Sequence, residues 1–305
     1  MKRRVLVTGS NGLLGQKLTD LYLQHEEVEL MATARGGNRH QVVNGYAYRE
    51  MDITNRDEVD AVISDFKPDT IIHAAAMTNV DACELNQTEC DLLNVTAVAY
   101  LIEAANKINS HFVFVSTDFI FDGKNGPYKE TDQALPLSIY GHSKLEAEQL
   151  VISKAKSWSI ARTILVYGIV SDMSRSNIVL WAHGALQKGE EINVVDDQFR
   201  TPTLAEDLAM GCYLIEEKKA AGIFHISGKD FMNIYDLVQH VGRYFGLSTK
   251  GVKRVKSTTL KQPAKRPPIT GFDLTKSREI LGYDPHTFEE GMEMVYQQNL
   301  KRTRG

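Results

Sequence analysis

A chain of 305 residues, 43% hydrophobic and 24% charged, has the balance of an ordinary globular protein and is long enough for one large α/β unit with an appended lobe. Its formal charge of −4 excludes a general attraction to nucleic acid or an anionic membrane, so neither is expected as a partner. No apolar run approaches the roughly 20 residues of a membrane span, and Cys83, Cys90 and Cys212 fit neither a disulfide framework nor a zinc spacing.

The chain opens with a buried strand at Val5-Leu6-Val7 and a helix from Leu13 to Leu23, its apolar residues at helical spacing. Between them runs Thr8-Gly9-Ser10-Asn11-Gly12-Leu13-Leu14-Gly15. Glycines at a strand-to-helix junction permit a tight turn, let the backbone approach a pyrophosphate and let helix pack on sheet. The helix N-terminus adds free N–H groups and a partial positive charge. Gly9, Ser10, Asn11, Gly12, Leu13, Leu14 and Gly15 are therefore candidate dinucleotide contacts. A second strand, Val28 to Ala34, ends at Arg35. Enzymes that use NAD usually carry an acidic residue there for the ribose 2′-hydroxyl, and none stands here. Arg35 instead suits the 2′-phosphate of NADP, so NADPH is the expected cofactor and NADH the alternative.

A helix from Asn55 to Phe66, opened by Thr54 or Asn55, precedes a strand at Thr70 to Ala74. A long helix from Leu92 to Asn106 leads to the strand Phe112 to Val115, and a helix from Ser138 to about Lys156 leads to the strand Ile160 to Leu165. Strands spaced by helices imply right-handed crossovers and a parallel, doubly wound sheet. Ser116-Thr117-Asp118 stands at a strand end, and Tyr140-Gly141-His142-Ser143-Lys144 puts tyrosine and lysine on one helical face. Carbonyl reduction needs a proton for the nascent alkoxide. A phenol of ordinary pKa about 10 serves when positive charge lowers it, here the charges of Lys144 and of the oxidised nicotinamide. Thr117, Tyr140 and Lys144 are thus the candidate catalytic set, with Thr117 polarising the carbonyl and the other two also touching the cofactor. His142 is expected to face elsewhere on the helix, and His73 to be a packed strand-end residue. Asp118 is read equally as a sugar contact or a structural group.

After Gly168 the rhythm loosens into a helix near Ser176 to Leu186, a strand at Ile192 to Val195, a helix at Leu204 to Glu216 and a buried strand at Ile223 to Ile226. Helices, short strands and a proline-rich stretch from Gln262 to Pro268 follow. The expected fold class is α/β: a Rossmann-type doubly wound parallel sheet in residues 1–168, to which segments around 192–227 return, with a smaller, discontinuous C-terminal α/β substrate lobe in 169–305. Arg200 and Arg266, each beside a proline that stiffens the backbone, are candidate cations for a substrate diphosphate. Lys301 to Gly305 reads as a frayed, charged end. The cysteines are expected reduced, the protein cytoplasmic and free of metal.

The spacing G-x-x-G-x-x-G is that of the short-chain dehydrogenases, and further stretches narrow the likeness. These are Ala74-Ala75-Ala76-Met77-Thr78-Asn79-Val80-Asp81, Ser116-Thr117-Asp118-Phe119-Ile120-Phe121-Asp122-Gly123, Tyr140-Gly141-His142-Ser143-Lys144-Leu145, and Asp197-Gln198-Phe199-Arg200-Thr201-Pro202-Thr203 with Asp207-Leu208-Ala209. Over most of its length the chain resembles the dTDP-4-dehydrorhamnose reductases among extended short-chain dehydrogenases. The resemblance implies an adenine contact at Asp52-Ile53, cofactor lining at Ala74, Ala75 and Ala76, and a structural asparagine at Asn94. It implies substrate contacts at Thr78, Val80, Thr117, Asp118, Phe119 and Leu165. The implied activity is NADPH-dependent reduction of the 4-keto group of a nucleotide-linked 6-deoxysugar, dTDP-4-dehydrorhamnose to dTDP-rhamnose. The nucleotide sugar is the implied partner, and a homodimer stays open. Related dehydratases carry Asp-Glu after the threonine, whereas Asp118 here is followed by Phe119, which argues against dehydration. Epimerases retain NAD, while Arg35 suits an exchanging NADPH.

One stretch departs from the reductases. Arg162-Thr163-Ile164-Leu165-Val166-Tyr167 stands where they carry Arg-Thr-Ser-Trp-Val-Tyr, so Leu165 offers apolar contact without an aromatic face. That stretch also resembles the regulatory subunit of methionine adenosyltransferase, a binding protein that keeps the Tyr and Lys pattern. A non-catalytic NADP-binding subunit is therefore the main alternative, beside a sugar-nucleotide epimerase.

Overall fold

The computed structural model describes residues 2–170 and 177–303. Its first half alternates strand and helix: β1 (Arg3–Thr8), α1 (Leu13–Tyr22), β2 (Val28–Ala34), β3 (Ala47–Glu50), α2 (Arg56–Phe66), β4 (Thr70–His73), α3 (Val80–Leu85), α4 (Gln87–Asp91), α5 (Ala97–Ile108), β5 (His111–Thr117), α6 (Ile139–Lys154) and β6 (Trp158–Thr163). The second half continues with β7 (Val166–Tyr167), α7 (Ile178–Gln187), β8 (Ile192–Val195), β9 (Phe199–Arg200), β10 (Thr203–Leu204), α8 (Ala205–Lys218), β11 (Gly222–His225), β12 (Met232–Asn233), α9 (Ile234–Tyr244), β13 (Val252–Val255) and α10 (Phe288–Thr303).

Seven strands form one parallel sheet in the order β11-β6-β5-β4-β1-β2-β3, the Rossmann-type arrangement expected. Each central strand feeds both faces, because side chains alternate along a strand. Val5 and Val7 of β1 and Val113 of β5 join the core beneath α1 and α8. Leu6, Phe112 and Phe114 join the opposite core beneath α2, α5 and α6. The strand order reverses between β1 and β4, which opens a crevice at their C-terminal ends.

Polar caps set the helix starts. Asn55, rather than Thr54, accepts N–H bonds from Asp57 and Glu58, and Ser138 accepts one from Gly141. Asn177 caps α7 in the same way, while Ser176, where that helix was expected to begin, lies outside the described residues. The long helix expected from Leu92 opens instead as a π turn, Leu92–Thr96, before α5 continues it. Likewise α10 carries helix through Thr303 where a frayed end was expected, and Arg304 and Gly305 lie outside the described residues.

Of the segments expected to return to the main sheet, β11 does so beside β6. By contrast β8 pairs with β13 in a separate two-stranded sheet. Along β8, Ile192, Val194 and Val195 are buried and Asn193 is exposed. Its apolar side packs with Val179, Leu186, Leu237 and Val241 in a third core cluster. Among the described residues no helix is long and apolar enough to cross a membrane.

Candidate active site

A cavity of about 870 Å³ opens over the crevice between β1 and β4 and runs toward the segments that follow β6 and β9. Its floor at one end is the loop between β1 and α1. Gly9 there has φ +70°, and a side chain on it would come within 2.8 Å of the Ala75 backbone. A Cβ on Gly15 would strike the Gly9 carbonyl oxygen, so glycine at both positions lets the two loops and the α1 N-terminus meet. No acidic residue stands in the first turn of α1, so its N–H groups and positive end suit an anion. These glycines form a cradle that side chains would fill, and it fits a pyrophosphate.

Gly9, Asn11, Gly12, Leu13, Leu14, Gly15, Arg35, Asp52, Ile53, Ala74, Ala75 and Ala76 all line this cavity. Ser10 does not: it is buried behind the loop, its N–H donating to the Thr33 carbonyl at 3.0 Å. Sequence reasoning missed Arg39, which lines the cavity with Arg35. Asn11 brings it there, donating from Nδ2 to the Gly37 carbonyl at 2.9 Å and accepting the Arg39 N–H at 2.9 Å. The signal was present as Gly36-Gly37-Asn38-Arg39, but the direction of such a turn depends on what ties it down.

Thr78, Val80, Thr117, Asp118, Phe119, Tyr140, Lys144, Leu165, Arg200 and Arg266 line the rest of the same cavity. Tyr140 reaches its wall because α6 packs closely on the segment after β5. A side chain at Gly141 would collide with the Phe119 carbonyl, and the Phe119 and Tyr140 rings meet edge to face at 5.6 Å. Asn94 fixes the same helix from behind. Its Oδ1 accepts the Met77 N–H at 2.8 Å, and its Nδ2 donates to Met77 O and to Ser143 Oγ, each at 3.1 Å. The π turn swings Asn94 inward to make these bonds.

Burial governs the electrostatics of the pair. It pushes the Tyr140 phenol well above its ordinary value, with Asp118 adding to the rise and a Thr117 hydrogen bond opposing it. Burial also lowers Lys144 to about 7, although Glu148 works in the other direction. Lys144 is not among the groups that shift the phenol here, and the oxidised nicotinamide, the other charge expected to lower it, would act only when bound. Lys144 instead donates to the Val115 carbonyl at 2.8 Å and lies 4.0 Å over the Phe114 ring.

Asp118 is buried, its carboxyl accepting from Thr117 at 3.1 Å and from Thr270, with Arg200 Nε at 3.6 Å. Burial raises its pKa, while Arg200 pulls it down. Arg200 spends its remaining nitrogens on the carbonyls of Phe199, Pro268 and Pro267. What holds it is this set of acceptors more than the proline stiffness expected from sequence. Arg266 is held by Asp81 in a two-pronged pair at 2.7 and 3.2 Å. Leu165 has φ +41°, a strained setting for leucine that turns it into the cavity wall. His73 is packed between Phe112 and Phe114 and bonded to Thr8 at 2.7 Å, and His142 is exposed on the far side of α6, both as expected.

A family model described as RmlD substrate binding domain matches residues 3–301. The chain is 33% identical over 304 residues to a dTDP-4-dehydrorhamnose reductase of Aggregatibacter actinomycetemcomitans, covering 96% of this chain and 98% of that protein. It is 29% identical to the methionine adenosyltransferase 2 subunit beta of Pongo abelii, covering 93% of this chain and 84% of that one. The solved dTDP-4-dehydrorhamnose reductase of Bacillus anthracis, in complex with NADP, superposes with a TM-score of 0.83 at 26% identity, covering 98% of this chain and 100% of that one.

Proposed function

The chain belongs to the RmlD substrate binding domain family, and on that premise we propose that it is an NADPH-dependent reductase acting on the 4-keto group of a nucleotide-linked 6-deoxysugar. The substrate proposed is dTDP-4-dehydrorhamnose, the one its relatives' names carry. The observation that bears most weight is the convergence of Thr117, Tyr140 and Lys144 on one cavity with the glycine cradle and two arginines at its other end.

NADPH, when bound across the crevice with its pyrophosphate at the α1 N-terminus, supplies the hydride. Every other part of the reaction falls to the chain. Thr117, whose single O–H donates to Asp118 in the free protein, would turn that O–H to the sugar carbonyl and polarise it. Tyr140, kept protonated through neutral pH by burial, delivers its proton to the same oxygen. Lys144 holds its amine near neutrality and is the group for the nicotinamide ribose. Leu165 and Phe119 line the sugar end with apolar surface. Asp118, committed to Thr270 and Arg200, is not poised as the second acid–base group that elimination of water requires.

Loss of NADPH absorbance on adding dTDP-4-dehydrorhamnose tests the reading. Tyr140→Phe should reduce the rate by about 100-fold or more while binding NADPH as before. Full turnover by Tyr140→Phe would remove Tyr140 from its role. A wild type that binds NADPH yet reduces no nucleotide ketosugar would favour the second reading, a binding subunit, which rests on the similarity to methionine adenosyltransferase 2 subunit beta.

A further inference from the structure

We infer that Asp81 is a positioning residue for the substrate's diphosphate, holding Arg266 in the cavity wall within reach of that anion. The inference rests on the nucleotide-sugar reading above and singles out one cation among those that line the cavity. Arg35 and Arg39 belong to the glycine-loop end. Lys144 donates to a strand carbonyl, and Arg200 is 4% exposed, with Asp118 and three backbone carbonyls around its guanidinium. Arg266 differs. Its Nη1 bonds Asp81 Oδ1 and the Ala264 carbonyl, and its Nη2 bonds Asp81 Oδ2. A guanidinium carries five N–H donors. Those bonds use three, so Nε–H and one Nη2–H have no hydrogen bond among the described residues. Two donors on a rigid planar fork in a cavity wall suit a phosphate oxygen.

Asp81 makes that fork rigid. Its Oδ1 also accepts the Ala264 N–H at 3.1 Å, so one carboxylate grips both ends of the 264–266 segment. The Arg266 pair holds Asp81 below its ordinary pKa, which keeps the grip charged through the neutral range. At the other end of α3, Glu84 accepts the Ile139 N–H at 3.0 Å, one residue before Tyr140. A six-residue helix thereby sets the spacing between the diphosphate cation and the helix that carries the proton donor.

The sign of the effect separates positioning from simple charge. Deleting a negative group beside a bound anion strengthens attraction by Coulomb's law. If Asp81 acts through Arg266, deleting it must weaken binding. Calorimetric titration of the full chain with thymidine diphosphate and with NADPH, alongside initial rates with dTDP-4-dehydrorhamnose, reads this out for wild type, Asp81→Asn, Arg266→Ala and the double variant. Asp81→Asn and Arg266→Ala should each weaken thymidine diphosphate and raise KM about tenfold, the scale of one charge-assisted bond. Both kcat and NADPH affinity should stay within about twofold, and the double variant should be no weaker than Arg266→Ala alone. Should Asp81→Asn fail to fold, Asp81→Glu and Arg266→Lys keep the charges but displace the fork, and thymidine diphosphate affinity must still fall. Unchanged or tighter thymidine diphosphate binding in a folded Asp81 variant overturns the inference while the reductase reading stands. An equal loss of NADPH affinity overturns it in favour of a general structural role. A wild type that neither binds thymidine diphosphate nor reduces the sugar overturns both.

Discussion

Arg35 stands exposed just past the end of β2, and Arg39 reaches the same end of the cavity because Asn11 ties down the turn between them. Two guanidiniums near one ribose should favour a 2′-phosphate over a hydroxyl, so wild type is expected to bind NADPH more tightly than NADH. Arg35→Ala and Arg39→Ala should each cut that preference by roughly tenfold, acting on NADPH alone, since a charge-assisted hydrogen bond is worth about 1.5–3 kcal/mol. Fluorescence titration of both nucleotides decides it, and equal affinities in wild type would remove the proposed role from both residues. Arg35 was readable because its register is fixed by β2. Arg39 was not, since it lies in a glycine-rich turn whose course is set by an asparagine 28 residues earlier in the chain. The burial of Ser10 was hidden for a related reason: a motif marks the stretch that turns, but not which side chain the turn covers.

Helix α6 presents Tyr140, Lys144 and Glu148 at successive intervals of four, one stripe down a single face. The first two line the cavity, and the third anchors the helix to β6. Glu148 takes Arg162 Nε at 2.9 Å and Nη2 at 2.7 Å, with both side chains almost fully buried. Removing one member of such a pair strands the other charge in a low-dielectric site. Glu148→Gln should therefore lower stability by about 3–5 kcal/mol in urea unfolding, a far larger effect than loss of the exposed Arg49–Asp65 pair. A loss below about 1 kcal/mol would mean that the stripe is anchored by its apolar contacts instead. The spacing of Tyr140 and Lys144 was legible in the sequence. The partner of Glu148 was not, because Arg162 meets it only through the register of β6 against β5. The π turn at Leu92–Thr96 was hidden similarly, as it goes with the bond that Asn94 accepts from the Met77 N–H, which no helical periodicity reveals.

Across the whole molecule, the alternation of apolar strands with amphipathic helices made six of the seven sheet strands readable, since strands buried on both faces are continuously apolar; the edge strand β3, with no buried residue, carries no such pattern and was not expected. The later strands were harder, because short segments pair with whatever the tertiary structure brings alongside. Burial at this scale also sets acid sensitivity. His111 bridges β5 to Ser157 and Ser159 at 2.8 and 2.9 Å, and burial lowers its pKa to about 4. Below the ordinary histidine value of about 6.5 the unfolded chain binds a proton that the folded protein refuses, so this contribution is intact above that pH. It should be lost as pH falls toward about 4, and His111→Gln should lack that component of the slope. Urea midpoints of the two proteins should therefore converge on acidification, and parallel curves would show His111 to be protonated in the folded state. The strand order carries a consequence for synthesis as well. The β6 edge, finished at Thr163, has no neighbour until Gly222–His225 has left the ribosome, with β8 and α8 made in between. A nascent chain thus carries an open strand edge through the manufacture of the intervening segments, the interval in which mispairing with another chain is least opposed.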